Sequence, residues 1–91
     1  MRLEWSQLAL QDIADAEEFL TDRSSLIAQQ IAERVRQRTE LLQDQPLLGR
    51  PGRVPGTREL VIVGTPFIAV YQVRRDALVI TRLLHHARRW S

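Results

Sequence analysis

Cysteine and lysine are both absent from this 91-residue sequence, and no apolar run approaches the roughly 18 residues of a membrane span. Without cysteine there is no disulfide framework and no thiolate metal site, which makes a reducing cytoplasm the expected setting. The start, Met1-Arg2-Leu3-Glu4-Trp5, sets an acid where a secretory signal needs its apolar stretch, so no export signal is legible. With lysine missing, all 13 basic side chains are arginine. Arginine makes planar, bidentate pairs with carboxylate and phosphate and stays charged when partly buried. Codon usage in a genome rich in G and C gives the same bias, so the arginine content alone does not identify a function.

What is present describes a folded protein. The 44% hydrophobic and 26% charged residues exclude an intrinsically disordered chain and fit one small domain over residues 1–91. A domain of this size buries roughly 60–65% of its unfolded surface, so a partner that recognises only the folded state would add to its stability. The net charge of +2 hides an uneven distribution. Residues 1–44 carry nine acids and five arginines, a balance of −4, whereas residues 45–91 carry two acids and eight arginines, a balance of +6. The C-terminal half is therefore expected to face an acidic partner, either nucleic acid or an acidic protein segment.

Residues 2–5 read as a short strand with Leu3 and Trp5 on one face. Ser6 is a helix N-cap candidate, because its hydroxyl can accept from a free backbone N–H. Ala9, Ile13, Ala16 and Leu20 then recur at steps of four, three and four, which traces one helical face. Asp12, Asp15, Glu17 and Glu18 fall mostly off that stripe and read as a solvated face rather than a metal site. Thr21-Asp22-Arg23-Ser24-Ser25 interrupts the pattern with cap-type residues. A second stripe follows through Ala28, Ile31, Ala32, Val35, Thr39 and Leu42. The short connection predicts an antiparallel helical hairpin. Arg34, Arg36 and Arg38 interleave with Glu33 and Glu40, as expected for local pairing on an exposed helix.

Three prolines and three glycines between Pro46 and Gly56 predict a long loop, made basic by Arg50 and Arg53. Three strand-like runs complete the chain. They are 58–63, then 67–73 after the turn Gly64-Thr65-Pro66, then 77–84 after the turn Arg74-Arg75-Asp76. Short turns imply an antiparallel meander. The near-continuous apolar runs predict a sheet covered by the helices on one face, with room for a partner on the other. The expected fold is α+β with the order β-α-α-β-β-β, a helical hairpin packed on a small antiparallel sheet. The tail His85-His86-Ala87-Arg88-Arg89-Trp90-Ser91 is cationic with one aromatic.

That order, with several local phrases, resembles the RelE/ParE toxin family along nearly the whole chain. The carrying residues are Trp5-Ser6 with Ala9, Asp12 and Ile13, then Gly49-Arg50-Pro51-Gly52-Arg53 leading into Arg58-Glu59-Leu60. Phe67-Ile68 with Tyr71 follows, and Arg82-Leu83-Leu84-His85-His86-Ala87-Arg88-Arg89-Trp90 closes the chain. The resemblance implies a growth-arresting toxin held inactive by a cognate antitoxin, in a toxin–antitoxin hetero-oligomer, with no membrane association. It also implies one of two activities. ParE-like members inhibit DNA gyrase without hydrolysis of their own, and RelE-like members cleave mRNA on the ribosome. Neither mechanism calls for a cofactor.

RNA cleavage requires deprotonation of the 2′-hydroxyl, stabilisation of the phosphorane charge and protonation of the leaving oxygen. Arg58, Arg82, His85 and Tyr71 are the residue types for such a set. Arg82 lies between Ile80 and Leu84 on the last strand, a costly position for a charge without a partner. It reads equally as a catalytic cation or as half of a structural ion pair, with Glu59 as the expected acid. His85 and His86 read as strand-end packing and a surface imidazole if they are not catalytic. Adjacent histidines on an extended chain point to opposite sides, so no metal is expected there. Trp90 reads as a hydrophobic plug or as a base-stacking group.

The gyrase reading is favoured by three features. The low net charge with an acidic helical half gives weak phosphate attraction. Lysines of the kind RelE uses are missing, and the Gly/Pro-rich loop leading into Arg58-Glu59-Leu60 is similar to members described as ParE. On either reading Arg50, Arg53, Arg58, Arg82, Arg88, Arg89 and Trp90 are the candidate residues for meeting target or antitoxin, with an acidic antitoxin segment folding on the toxin as it binds. A small binding module without toxic activity is the remaining alternative.

Overall fold

Ser6 starts the first helix as its composition predicts: its backbone is extended and its hydroxyl accepts from the Ala9 N–H at 3.1 Å. Ser24 repeats the device at the second helix, accepting from Ile27 N–H. The computed structural model describes residues 1–85. Its elements are β1 (Arg2–Trp5), α1 (Gln7–Thr21), α2 (Ser25–Glu40) with a 3-10 turn at Leu41–Gln43, β2 (Arg50–Pro51), β3 (Arg58–Val61), β4 (Phe67–Val73) and β5 (Ala77–His85). Arg36 bridges Glu33 and Glu40 along α2, the local pairing that the interleaved charges suggest.

The five strands form one sheet in the order β1-β5-β4-β3-β2. The β3-β4-β5 meander is antiparallel, as its short turns require, and Gly64 supplies the positive φ of the first turn. β1 departs from the expectation of a wholly antiparallel sheet, because it joins parallel to β5 with Leu3 opposite Leu78 and Trp5 opposite Ile80. The reason is topological. The helical hairpin intervenes between β1 and the meander, and a long connection permits parallel pairing where a tight turn forbids it. β2 is a second departure, for the proline-rich loop contributes a two-residue edge strand opposite Arg58 and Glu59. An edge is where a strand proline can sit, since the missing N–H costs no ladder bond there.

Both helices pack on one face of this sheet. Ala9, Val35 and Leu42 meet Leu60, Ile62, Phe67, Ala69, Tyr71, Leu78, Ile80 and Leu83, with Leu3, Trp5, Ile13 and Leu20 around them. The helical stripe and the alternation of β4 therefore converge on one core. A bulge in β5 adjusts that alternation. Val70 pairs with Arg82 and Tyr71 with Ile80, which leaves Thr81 as the extra residue. The core-facing positions shift from Leu78 and Ile80 to Leu83, and the Ser6 hydroxyl bonds the carbonyl of the extra residue, Thr81.

Candidate functional site

Two polar clusters are built onto this frame, one at each side of β4. The first fixes the loop that follows α2. Tyr71 projects from β4 into the core and is fully buried, yet its hydroxyl reaches the loop backbone. It donates to the Pro46 carbonyl at 2.8 Å and accepts from the Gly49 N–H at 2.8 Å. Arg58, its cross-strand neighbour on β3, donates to the Gly49 carbonyl at 2.6 Å. Glu59 faces the other way and is 3% exposed. Its carboxylate accepts from the Arg53 backbone N–H at 3.0 Å and from the Arg50 guanidinium at 3.3 Å. A buried carboxylate is tolerable only with such partners. Gly49 completes the cradle through what it lacks, since a Cβ there would lie 2.7 Å from the Tyr71 ring and 2.8 Å from the Glu59 carbonyl.

Burial pushes the Tyr71 phenol above its usual value, against the opposing influence of the Gly49 amide and the Arg58 charge. The phenol stays protonated at neutral pH with both of its hydrogen-bonding directions used. Its role in this geometry is to hold the loop.

The second cluster lies where β1 ends and β5 continues without a strand on that side. There α1 takes over the edge. Ser6 donates its N–H to the Ile80 carbonyl at 2.9 Å and its hydroxyl to the Thr81 carbonyl at 2.9 Å. Asp12, about one and two-thirds turns along, accepts from Arg82 through two guanidinium nitrogens at 2.8 and 3.1 Å and from the Leu83 N–H at 2.9 Å. The hydrogen bond to Asp12 raises the Arg82 pKa further, so this cation is permanent. Two expectations are corrected here. Asp12 belongs to a built contact rather than to a solvated face, its side chain being 15% exposed. The acid for Arg82 is Asp12 and not Glu59, because Glu59 and Arg82 flank Val70 from opposite strands. Two interstrand spacings, about 10 Å, separate them.

His85 pairs with Phe67 at the far end of β4, and the two rings meet edge to face at 5.5 Å. It is four β4 positions from the Tyr71 pair, about 13 Å along the strand. Arg50, Arg53, Arg58 and Tyr71 are thus brought together at the loop, while Arg82 and His85 lie on another strand and Tyr71 is sealed from them. His86, Arg88, Arg89 and Trp90 lie outside the described residues. Among the described residues, no three His, Asp or Glu side chains are grouped to hold a metal ion. No helix there is long and apolar enough to cross a membrane.

Sequence reasoning missed Asp12 and Gly49 as parts of these clusters. The signal for Asp12 was present in its helical position, only about 60° round the helix from Ala9 and beside Ile13. Nothing in the composition of the loop distinguishes Gly49 from the glycines around it.

A strand, a helical hairpin, a pinned basic loop and a three-stranded meander ending in arginine and histidine are matched by one family model over residues 3–90. That model describes the ParE toxin of the type II toxin–antitoxin system parDE. The chain belongs to the ParE toxin family.

Among solved structures, a chain of the chromosomal ParDE toxin–antitoxin system from P. aeruginosa superposes with a TM-score of 0.85. It is 25% identical, and the match covers 93% of this toxin and 95% of that chain. The Y4kP protein of Sinorhizobium fredii, named provisionally as a toxin, is 29% identical over 89 residues, covering 98% of this chain and 92% of its own. A YafQ mutant from E. coli shares the fold alone, with a TM-score of 0.60 at 17% identity over 96% of both chains. The fold expected from the sequence is the one this ParE-family toxin has, with β1 and β2 extending the meander at its two sides.

Proposed function

We propose that this ParE-family toxin arrests growth by binding DNA gyrase and stopping its supercoiling cycle, with no hydrolytic step of its own. We further propose that a cognate antitoxin neutralises it in a hetero-oligomer, in the cytoplasm where gyrase works. The observation that carries the gyrase reading is the commitment of the residue types that RNA cleavage would use. Tyr71 is buried between two backbone groups, Arg58 is turned onto the Gly49 carbonyl, and Arg82 is held by Asp12. His85 is left at a distance from Tyr71 and Arg58. General acid–base cleavage needs its proton carriers and charge stabiliser around one phosphate. This arrangement supports recognition by a fixed cationic surface instead.

Arg50, Arg53, Arg58, Arg82, Arg88, Arg89 and Trp90 stand as the proposed residues for meeting target or antitoxin. Arg58 and Arg82 contribute charge from fixed positions, and Arg50 and Arg53 contribute it from an exposed loop. The antitoxin partner is supported by the ParDE relative, and an acidic antitoxin segment would be steered by the +6 balance of residues 45–91. The test is plasmid supercoiling by gyrase with the purified toxin. Inhibition that the antitoxin reverses is expected. Unaffected gyrase alongside cleavage of ribosome-bound mRNA would replace this reading with the RelE-like alternative, in which Arg82 and His85 would carry the chemistry.

A further inference from the structure

The loop between α2 and β3 is fixed from the inside and presents both aliphatic and cationic side chains on the outside. Inside, Tyr71, Arg58 and Glu59 hold the backbone at Pro46, Gly49 and Arg53. Gly52 N–H donates to the Thr57 carbonyl at 2.8 Å, and Thr57 returns its N–H to the Val54 carbonyl at 3.1 Å, which closes the tip on itself. Outside, Leu47 is 66% exposed and Val54 60% exposed, with Arg50 and Arg53 exposed between them in the sequence. At the tip a Cβ on Gly56 would meet nothing within 4 Å, so this end projects into open space. No acid occurs from Gln45 to Arg58.

We propose that this loop is a preformed docking element that inserts into an apolar cleft with an acidic rim on the folded target protein, and that it is not the antitoxin's surface. The inference deepens the gyrase reading and rests on it for the identity of the target. Single exposed apolar residues are ordinary, but here they flank two arginines on a backbone tied down by a buried carboxylate and a buried phenol. Fixing the loop before binding lowers the ordering cost that association would otherwise carry. Leucine and valine beside the arginines favour a protein partner, since phosphate contacts call for cations and polar groups rather than aliphatic tips. A rigid projection suits a cleft that already exists. A segment that folds on binding needs a groove to lie in, which a projecting tip does not offer.

The test uses the full-length toxin and the double variant Leu47→Asp, Val54→Asp, neither side chain having a part in the internal ties. Each protein is assayed for gyrase inhibition, for antitoxin affinity and for growth arrest on induction in cells. The expected result is at least a tenfold higher variant concentration for half-inhibition of gyrase, with antitoxin affinity within about twofold of wild type. Retained affinity also shows that the variant folds. Full gyrase inhibition by the variant would overturn the inference and leave the gyrase reading intact. If wild type arrests growth without touching gyrase, the gyrase reading falls and the loop is judged on arrest. Arrest lost in the variant with antitoxin affinity kept would support it, and arrest retained would overturn it. A parallel loss of antitoxin affinity in a variant that melts like wild type would assign the loop to the antitoxin and overturn the proposal.

Discussion

Asp12 on α1 holds Arg82 and the Leu83 amide of β5 with one carboxylate, across 70 residues of sequence. The contact lets a helix close the sheet edge that β1 leaves open. Arg82 is 43% exposed, so the ion pair itself is screened, but the Leu83 N–H and the mostly buried carboxylate depend on it. Asp12→Ala is expected to cost about 1–2 kcal/mol, and a double-mutant cycle with Arg82→Ala is expected to show about 1 kcal/mol of coupling. Urea unfolding of the four proteins measures it. Additive effects would mean that the pair contributes nothing jointly.

Tyr71→Phe keeps the ring in the core and removes the hydroxyl between Pro46 and Gly49. The Gly49 N–H is left buried without its acceptor, at an expected cost of about 1–3 kcal/mol. A loss of 1 kcal/mol lowers the melting temperature of a domain of this size by about 4–8 °C. Hydrogen exchange at the Gly49 amide should accelerate in parallel. A variant that melts like wild type but has lost toxicity would instead mark the phenol as a functional group.

Gly49→Ala tests the closeness of the cradle from the other side. The added Cβ collides with the Tyr71 ring and with β3 backbone, neither of which can move as a flexible side-chain end would. Overpacking of this kind costs about 1–3 kcal/mol, and it should loosen the loop as Tyr71→Phe does. Unchanged thermal stability would contradict the cradle geometry.

Ser6→Ala removes the cap of α1 and the hydroxyl bond to the Thr81 carbonyl in one step. About 0.5–2 kcal/mol is expected, toward the upper end because two contacts are lost. Helical circular dichroism and the unfolding midpoint together separate a frayed helix from a global loss.

The parts legible in the sequence are those set by neighbours in the chain. Ser6 and Ser24 cap helices because their hydroxyls reach amides three residues on. Phe67 to Val73 reads as a strand from its own residues, and Gly64 marks the turn before it. What stayed hidden depends on tertiary placement. The parallel seat of β1 beside β5 and the partnership of Asp12 with Arg82 require the helical hairpin to be folded back on the sheet. The Thr81 bulge changes which β5 residues face the core, and no residue type around it announces the extra position. The basic character of the loop was plain from Arg50 and Arg53, but its rigidity came from Tyr71, 22 residues downstream of Gly49, and from Glu59, 6 residues downstream of Arg53.

The most direct test of the account is supercoiling of relaxed plasmid by DNA gyrase and ATP, titrated with purified toxin in the presence and absence of its antitoxin. The account predicts loss of supercoiled product, or accumulation of cleaved plasmid, at toxin concentrations near those of gyrase, and full recovery with antitoxin. Undiminished supercoiling in the presence of a toxin preparation that arrests growth in cells would contradict it.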